Sequence, residues 1–154
     1  MIDIRVATTA DVPALAALRW EFRAGRATPT EDRSAFLARC AAWMQAALAD
    51  EWRAWVAVDG SAVVGHVWLC TIGKIPNPVG QKERQAYISN VYVRPDSRGG
   101  VGSRLLKQAI EWAEANDVEY ALLTPTAPSR TLYGRHGFAV SDDWLIRSFG
   151  GKPL

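Results

Sequence analysis

The sequence predicts an α/β fold, a mixed α+β sheet with helices packed on its faces, in a single domain over residues 1–154. Three observations carry that reading. Segments with helical apolar spacing alternate along the chain with extended apolar runs. Asp59-Gly60 stands between two such runs as a hairpin signal. The run at 87–93 leads through Pro95 and the stretch Arg98-Gly99-Gly100-Val101-Gly102-Ser103 into an amphipathic helix. At 154 residues one domain buries about 70% of its unfolded surface. No linker or internal repeat divides the chain.

The elements follow in order. Residues 2–6 alternate apolar and polar, as a half-buried strand does. Thr9 or Asp11 can cap a first helix, and Pro13 suits its opening turn. Leu15, Leu18, Trp20 and Phe22 give that helix a broad apolar side, and Gly25 stops it. Residues 24–33, polar with Pro29, read as a loop. A second helix over 34–48 carries Phe36, Leu37, Cys40, Trp43, Met44 and Leu48 at three-to-four spacing. Residues 52–58 and 62–72 are the arms of the hairpin, and the second, apolar on both faces, belongs in the middle of a sheet. Residues 73–82, with Pro76-Asn77-Pro78, form a loop. The next strand covers 84–93. The third helix, 101–116, sets Val101, Leu105, Leu106, Ala109, Trp112 and Ala113 against Arg104, Lys107, Gln108, Glu111 and Glu114. A short buried strand at 120–124 completes a strand–helix–strand unit, which favours a right-handed crossover. A short helix at 128–135 ends at Gly137, and a last strand or hairpin covers 138–149.

Composition narrows the function. With 49% hydrophobic and 22% charged residues the chain has the material for a packed core. Net charge is only +2 and no Lys/Arg run stands out, so nucleic acid is not an expected partner. No apolar run approaches the ~20 residues that span a bilayer, and the first residues lack a signal-peptide layout. Cys40 and Cys70 have neither metal-ligand nor redox spacing. A soluble protein of the reducing cytoplasm, without a metal, is the expectation.

The glycine turn is the first candidate site. Glycines let backbone approach an anion, and the unpaired first amides of a helix can bind it. The same glycines also suit a plain turn. The turn is no dinucleotide fingerprint, because Gly-x-Gly-x-x-Gly is absent, and no Walker A loop, because no Gly-Lys-Ser/Thr closes it. A second element lies one crossover downstream: Leu132-Tyr133-Gly134-Arg135-His136-Gly137-Phe138. With it the chain resembles the GCN5-related N-acetyltransferase family. Val93-Arg94-Pro95, Arg98 with Gly100-Val101-Gly102, Leu105-Leu106, and Leu132-Tyr133 with Gly137-Phe138 stand in the family's order. Ile4-Arg5 with Ala7-Thr8 and Asp11 resembles its opening, and Val64-Gly65 its hairpin return.

The resemblance implies a mostly antiparallel sheet with splayed strands, helices on both faces, and acetyl-CoA as co-substrate. It places the pyrophosphate on Arg98, Gly99, Gly100, Val101, Gly102 and Ser103. It lays the pantetheine arm along Val91, Tyr92 and Val93, beside a bulge, and ends at Tyr133. Direct attack by a primary amine is then met by the Val91 amide at the oxyanion. Tyr133 would protonate the departing thiolate, as a phenol near pKa 10 can; its other reading is a core aromatic. Two departures are visible. The stretch from Arg98 is one residue shorter than the family's Arg/Gln-x-x-Gly-x-Gly, so Ser97 takes the first position or the loop has lost a residue. Thr126 stands where the family often has Asn.

Candidates for accepting the amine proton are Glu21, His66, Glu83, Tyr87 and Ser89; Asn90 cannot be a base and would position. His66 beside Trp68 reads rather as a core histidine, and His136 as structural. Of seven tryptophans, Trp43, Trp112 and Trp144 read as core. Trp20, Trp52, Trp55 and Trp68 read as core or as an acceptor-pocket lining. The acceptor, a small-molecule amine or a peptide, would meet the first two helices, the 73–82 loop and the C-terminal hairpin. Family members often pair as homodimers. The rival function is a non-catalytic acyl-CoA-binding or sensing module.

Overall fold

The computed structural model describes residues 1–150. The chain divides into two compact units, one from Met1 to Leu122 and one from Leu123 onward.

In the first unit β1 (Ile2–Val6), β2 (Trp52–Asp59), β3 (Ala62–Gly73), β4 (Arg84–Val93) and β5 (Val118–Leu122) form one sheet in the order β1-β2-β3-β4-β5. The first four strands run antiparallel and β5 is parallel to β4. The mixed sheet expected from the sequence is therefore present. The β2–β3 turn needs Gly60, whose φ is +61°. Two helices, α1 (Val12–Ala24) and α2 (Arg33–Leu48), cover one face. Val12, Leu15 and Ala16 of α1 and Met44 and Ala47 of α2 pack there on Ala54, Val56 and Trp68. The opposite face takes α3 (Val101–Ala115), since Trp112 meets Trp55 edge-on at 6.3 Å and Trp55 alternates with Ala54. Leu15, Leu18, Leu69, Ile88, Leu105 and Leu106 are fully buried. Each is worth roughly 1.5–3 kcal/mol of transfer free energy.

Two local devices fix the frame around β4. At Gly65 an added Cβ would lie 3.0 Å from the Tyr92 carbonyl and 3.0 Å from Val93 Cγ2, so only glycine lets β3 sit this close. Near the chain start Asp11 accepts from both terminal nitrogens of Arg5 at 2.8 Å and from the Thr8 amide at 2.8 Å. That pairing holds β1 to the entry of α1, and it lowers the Asp11 pKa, chiefly through Arg5.

The second unit holds a 3-10 turn, Ala127–Ser129, and α4 (Arg130–Arg135). Gly137, at φ +86°, ends it. The strand or hairpin expected at 138–149 does not form, because this stretch pairs with no strand among the described residues. Its middle folds on itself: the Asp143 amide donates to Ser141 Oγ at 3.2 Å, and Ser141 Oγ donates to Asp143 Oδ2 at 3.2 Å. Such Ser/Asp turns offer the backbone a partner other than a ladder. Val140, Leu145, Ile146 and Phe149 are left exposed.

Candidate active site

The site grows out of β4. Between His66 and Trp68 of β3 the partner strand advances from Tyr92 to Ser89, one residue more than its neighbour. This is a β-bulge at Asn90–Val91, and Asn90 takes up the geometry with φ +64°, a left-handed value that Asn tolerates well. The Arg94 amide donates to the Val64 carbonyl at 2.9 Å, toward β3. Alternation then turns Tyr92 toward β3, and Val91 and Val93 toward the other edge. On that edge β5 pairs only as far as Tyr87 with Leu122. Among the described residues the last part of β4 thus has backbone groups facing no strand, the splay that the resemblance implied.

Beyond β4 the chain turns through a 3-10 segment, Pro95–Ser97, closed by the Ser97 amide donating to the Arg94 carbonyl at 2.9 Å. Gly99 and Gly100 follow at φ +108° and +86°, values that a side chain resists by roughly 1–2 kcal/mol. Gly100 is the N-cap of α3 and supplies no side-chain cap. The first-turn amides of α3, from Val101 to Ser103, are thus not capped by a side chain at Gly100, and open space surrounds the Cβ positions of Gly99 and Gly100. A fifteen-residue helix whose N-cap glycine supplies no side-chain cap, behind two bare glycines, suits a diphosphate. The Val101 side chain is buried, so only its backbone can face the mouth. Arg98 lies beside the mouth, and its Nε donates to the Val93 carbonyl at 3.3 Å.

On the α1–α2 face a cleft of about 440 Å³ reaches the bulge. Its walls are Arg19 from α1, Trp43 and neighbours from α2, Trp52, Trp68, and Ser89 with Asn90. The three indoles stand 5.4–6.2 Å apart. Trp43, expected in the core, is 51% exposed and belongs to this wall. Trp144, also expected in the core, is 44% exposed. Trp52 and Trp68 line a pocket, whereas Trp55 is buried under α3 and Trp20 packs at a tilt on Phe36 beside a separate hollow.

The cleft sorts the candidate bases. Glu21 is held bidentate by Arg94 at 2.8 and 3.0 Å. Glu83 is exposed and accepts the Asn77 amide at 3.1 Å. His66 is sealed in the sheet: Trp68 Nε1 donates to its Nδ1 at 3.0 Å, and burial pushes its pKa down to about 3. Ser89 reaches the cleft wall, and Tyr87 touches Trp52 edge-on. Asn90 accepts from Arg19 Nη1 at 3.1 Å, which fits positioning. Arg19 escaped the sequence reading, although a charge four residues after Leu15 on an apolar stripe was its signal.

In the second unit Tyr133 lies half-buried on α4, its ring 5.9 Å from Phe138. Thr126 caps the 3-10 turn there, its hydroxyl and amide both donating to Ser129 Oγ at 2.9 Å. His136 ends α4, its amide donating to the Tyr133 carbonyl at 3.0 Å. Among the described residues no group of His, Cys, Asp or Glu could hold a metal, and no helix is long and apolar enough to cross a membrane.

Comparison with solved structures finds the same architecture. A protein from Clostridium acetobutylicum, described as a predicted acetyltransferase and solved with acetyl-CoA, superposes with a TM-score of 0.80 at 22% identity, over 96% of each chain. A GCN5-related N-acetyltransferase from Ralstonia eutropha JMP134 gives 0.77 at 24% identity, over 98% of this chain and all of that one. A ribosomal-protein-alanine N-acetyltransferase from Brucella melitensis gives 0.68 at 22%, over 97% and 99%. Among curated proteins no sequence matches. The family model described as "Acetyltransferase (GNAT) family" matches residues 13–138, and the protein therefore belongs to the GNAT family of acetyltransferases.

Proposed function

We propose that residues 1–154 act as one catalytic domain that moves the acetyl group of acetyl-CoA to a primary amine of a small molecule or peptide by direct attack. The observation that carries this is the pairing of a bulged β4, whose last part faces no strand among the described residues, with the two positive-φ glycines that open α3 at its end. Acetyl-CoA supplies an activated thioester. Arg98, Gly99, Gly100, Val101, Gly102 and Ser103 hold its pyrophosphate, and Val91, Tyr92 and Val93 offer backbone to the pantetheine arm. The Val91 N–H donates to the carbonyl oxygen as negative charge develops there. The amine nitrogen bonds to the acetyl carbon and loses a proton, and the carbon–sulfur bond breaks. Tyr133 gives its proton to the leaving sulfur, and Thr126 supports the same end of the ligand. With no Asp or Glu in the cleft wall among the described residues, the amine proton passes to water. Placement in the cytoplasm, pairing of two copies, and the lack of a nucleic-acid or membrane partner belong to the same proposal.

Calorimetry with acetyl-CoA tests the binding half, and thiol release with a panel of amines the chemical half. Tyr133→Phe should lower turnover far more than acetyl-CoA affinity; equal losses would make Tyr133 a packing residue. The second reading, a non-catalytic acyl-CoA sensor, draws on the missing base, with Glu21 tied to Arg94 and His66 sealed. Binding without thiol release from any amine would decide for it.

A further inference from the structure

Arg19 is the odd residue of the cleft. It sits half-buried on the apolar side of α1 and gives its one described hydrogen bond to a neutral amide, Asn90 Oδ1 at 3.1 Å. No carboxylate pairs with it among the described residues. Desolvated cations are ordinarily paired, because water no longer stabilises them. The second cation on the rim, Arg39, is by contrast tied to Glu31. Among the described residues neither Asp nor Glu lines the cleft, so a polyamine or Lys-rich segment would face an uncompensated guanidinium. The same cleft is lined by Trp43, Trp52 and Trp68, an apolar aromatic cluster. The volume, about 440 Å³, suits a ligand of amino-acid size. Ser89 and Asn90, which close the cleft, immediately precede Val91.

We propose that the acceptor is an amine bearing a carboxylate and an aromatic side chain, as an aromatic α-amino acid does, and that Arg19 selects it; this rests on the amine-acetylation reading above. The guanidinium forks onto the carboxylate, the indoles take the ring, and the amine is left toward the bulge. The positive charge of Arg19 also disfavours a neighbouring ammonium, so it raises the fraction of neutral, attacking amine.

Thiol release is measured with phenylalanine, phenethylamine and spermidine, at saturating acetyl-CoA. Phenylalanine should exceed phenethylamine in kcat/KM by about tenfold or more, the ordinary worth of a charge-assisted hydrogen bond. Arg19→Gln should bring that ratio near one, and Arg19→Lys should keep most of it. N-acetylphenylalanine, the product itself, should bind the wild-type protein with CoA present and perturb tryptophan fluorescence. Preference for phenethylamine or spermidine, an unchanged ratio in Arg19→Gln, or no saturable binding of N-acetylphenylalanine at millimolar concentration overturns the proposal. Failure to bind acetyl-CoA would sink the underlying reading; turnover of carboxylate-free amines alone would sink only this inference.

Discussion

His66 on β3 and Asn90 on β4 show how single side chains set the behaviour of the sheet around the bulge. Because Trp68 donates to His66 Nδ1, the imidazole proton sits on Nε2, which has no partner among the described residues. Charging this ring would strand a cation in the sheet, hence the folded pKa of about 3 against the ordinary 6.5. In that interval the unfolded chain binds a proton that the folded chain refuses. Stability is therefore fully present above pH 6.5 and declines as pH falls toward 3, by up to about 1.4 kcal/mol per pH unit. Asp11 acts in the same direction at lower pH: its depressed pKa stabilises above the ordinary carboxylate value and fails below it. Urea unfolding between pH 6.5 and 4.5 isolates the histidine, and His66→Gln should flatten the slope there. A slope unchanged by the substitution would show that another group titrates. Asn90 is a backbone matter as much as a polar one. Asn90→Gly should unfold within about 0.5 kcal/mol of wild type, while Asn90→Val should lose about 2 kcal/mol and weaken acetyl-CoA binding. Thermal unfolding and calorimetry read both; a harmless valine would mean that the positive φ is not kept in solution.

Among the elements, α3 was the most legible. Its stripe of Val101, Leu105, Leu106 and Ala109 repeats at helical spacing, and the glycines before it announce a turn that side chains resist. The hairpin at Gly60 was legible for the same reason: local chemistry decided both. The C-terminal hairpin was not, because a strand exists only with a partner edge, and nothing in residues 138–149 encodes one. The short turn bonds between Ser141 and Asp143 prevail instead. Trp43 shows a second limit. It keeps α2's periodicity, yet α2's apolar stripe is wider than its contact with the sheet, so the indole ends in the cleft wall. Periodicity gives a face, not what covers it. The mouth of α3 yields its own prediction. Gly100→Ala puts a Cβ at φ +86°, which costs roughly 1–2 kcal/mol and shifts the first amides. Acetyl-CoA affinity should fall about tenfold with kcat at saturation nearly kept, as uniform binding requires. A fall in kcat alone would remove the mouth from cofactor binding.

One strand, β4, serves both the core and the proposed site. Ala86, Ile88 and Val93 are buried, while Ser89 and Asn90 open to the cleft and Val91 and Val93 turn their backbone toward the unpaired edge. A ligand that fills that edge completes a sheet that is otherwise cut short, so binding and folding are linked. A ligand held only by the native state at a hundred times its Kd stabilises by about 2.7 kcal/mol. For a chain of 154 residues this raises Tm by about 5–10 °C, in a single transition if residues 1–154 form one domain. Scanning calorimetry with acetyl-CoA should show that shift, and S-acetylpantetheine, which lacks the diphosphate, should give far less at the same concentration. The comparison separates the two halves of the site. Equal shifts would put the affinity in β4 alone and leave the α3 mouth without a ligand, whereas a shift confined to acetyl-CoA means that the mouth of α3 provides the hold and the bulge only aligns what it holds.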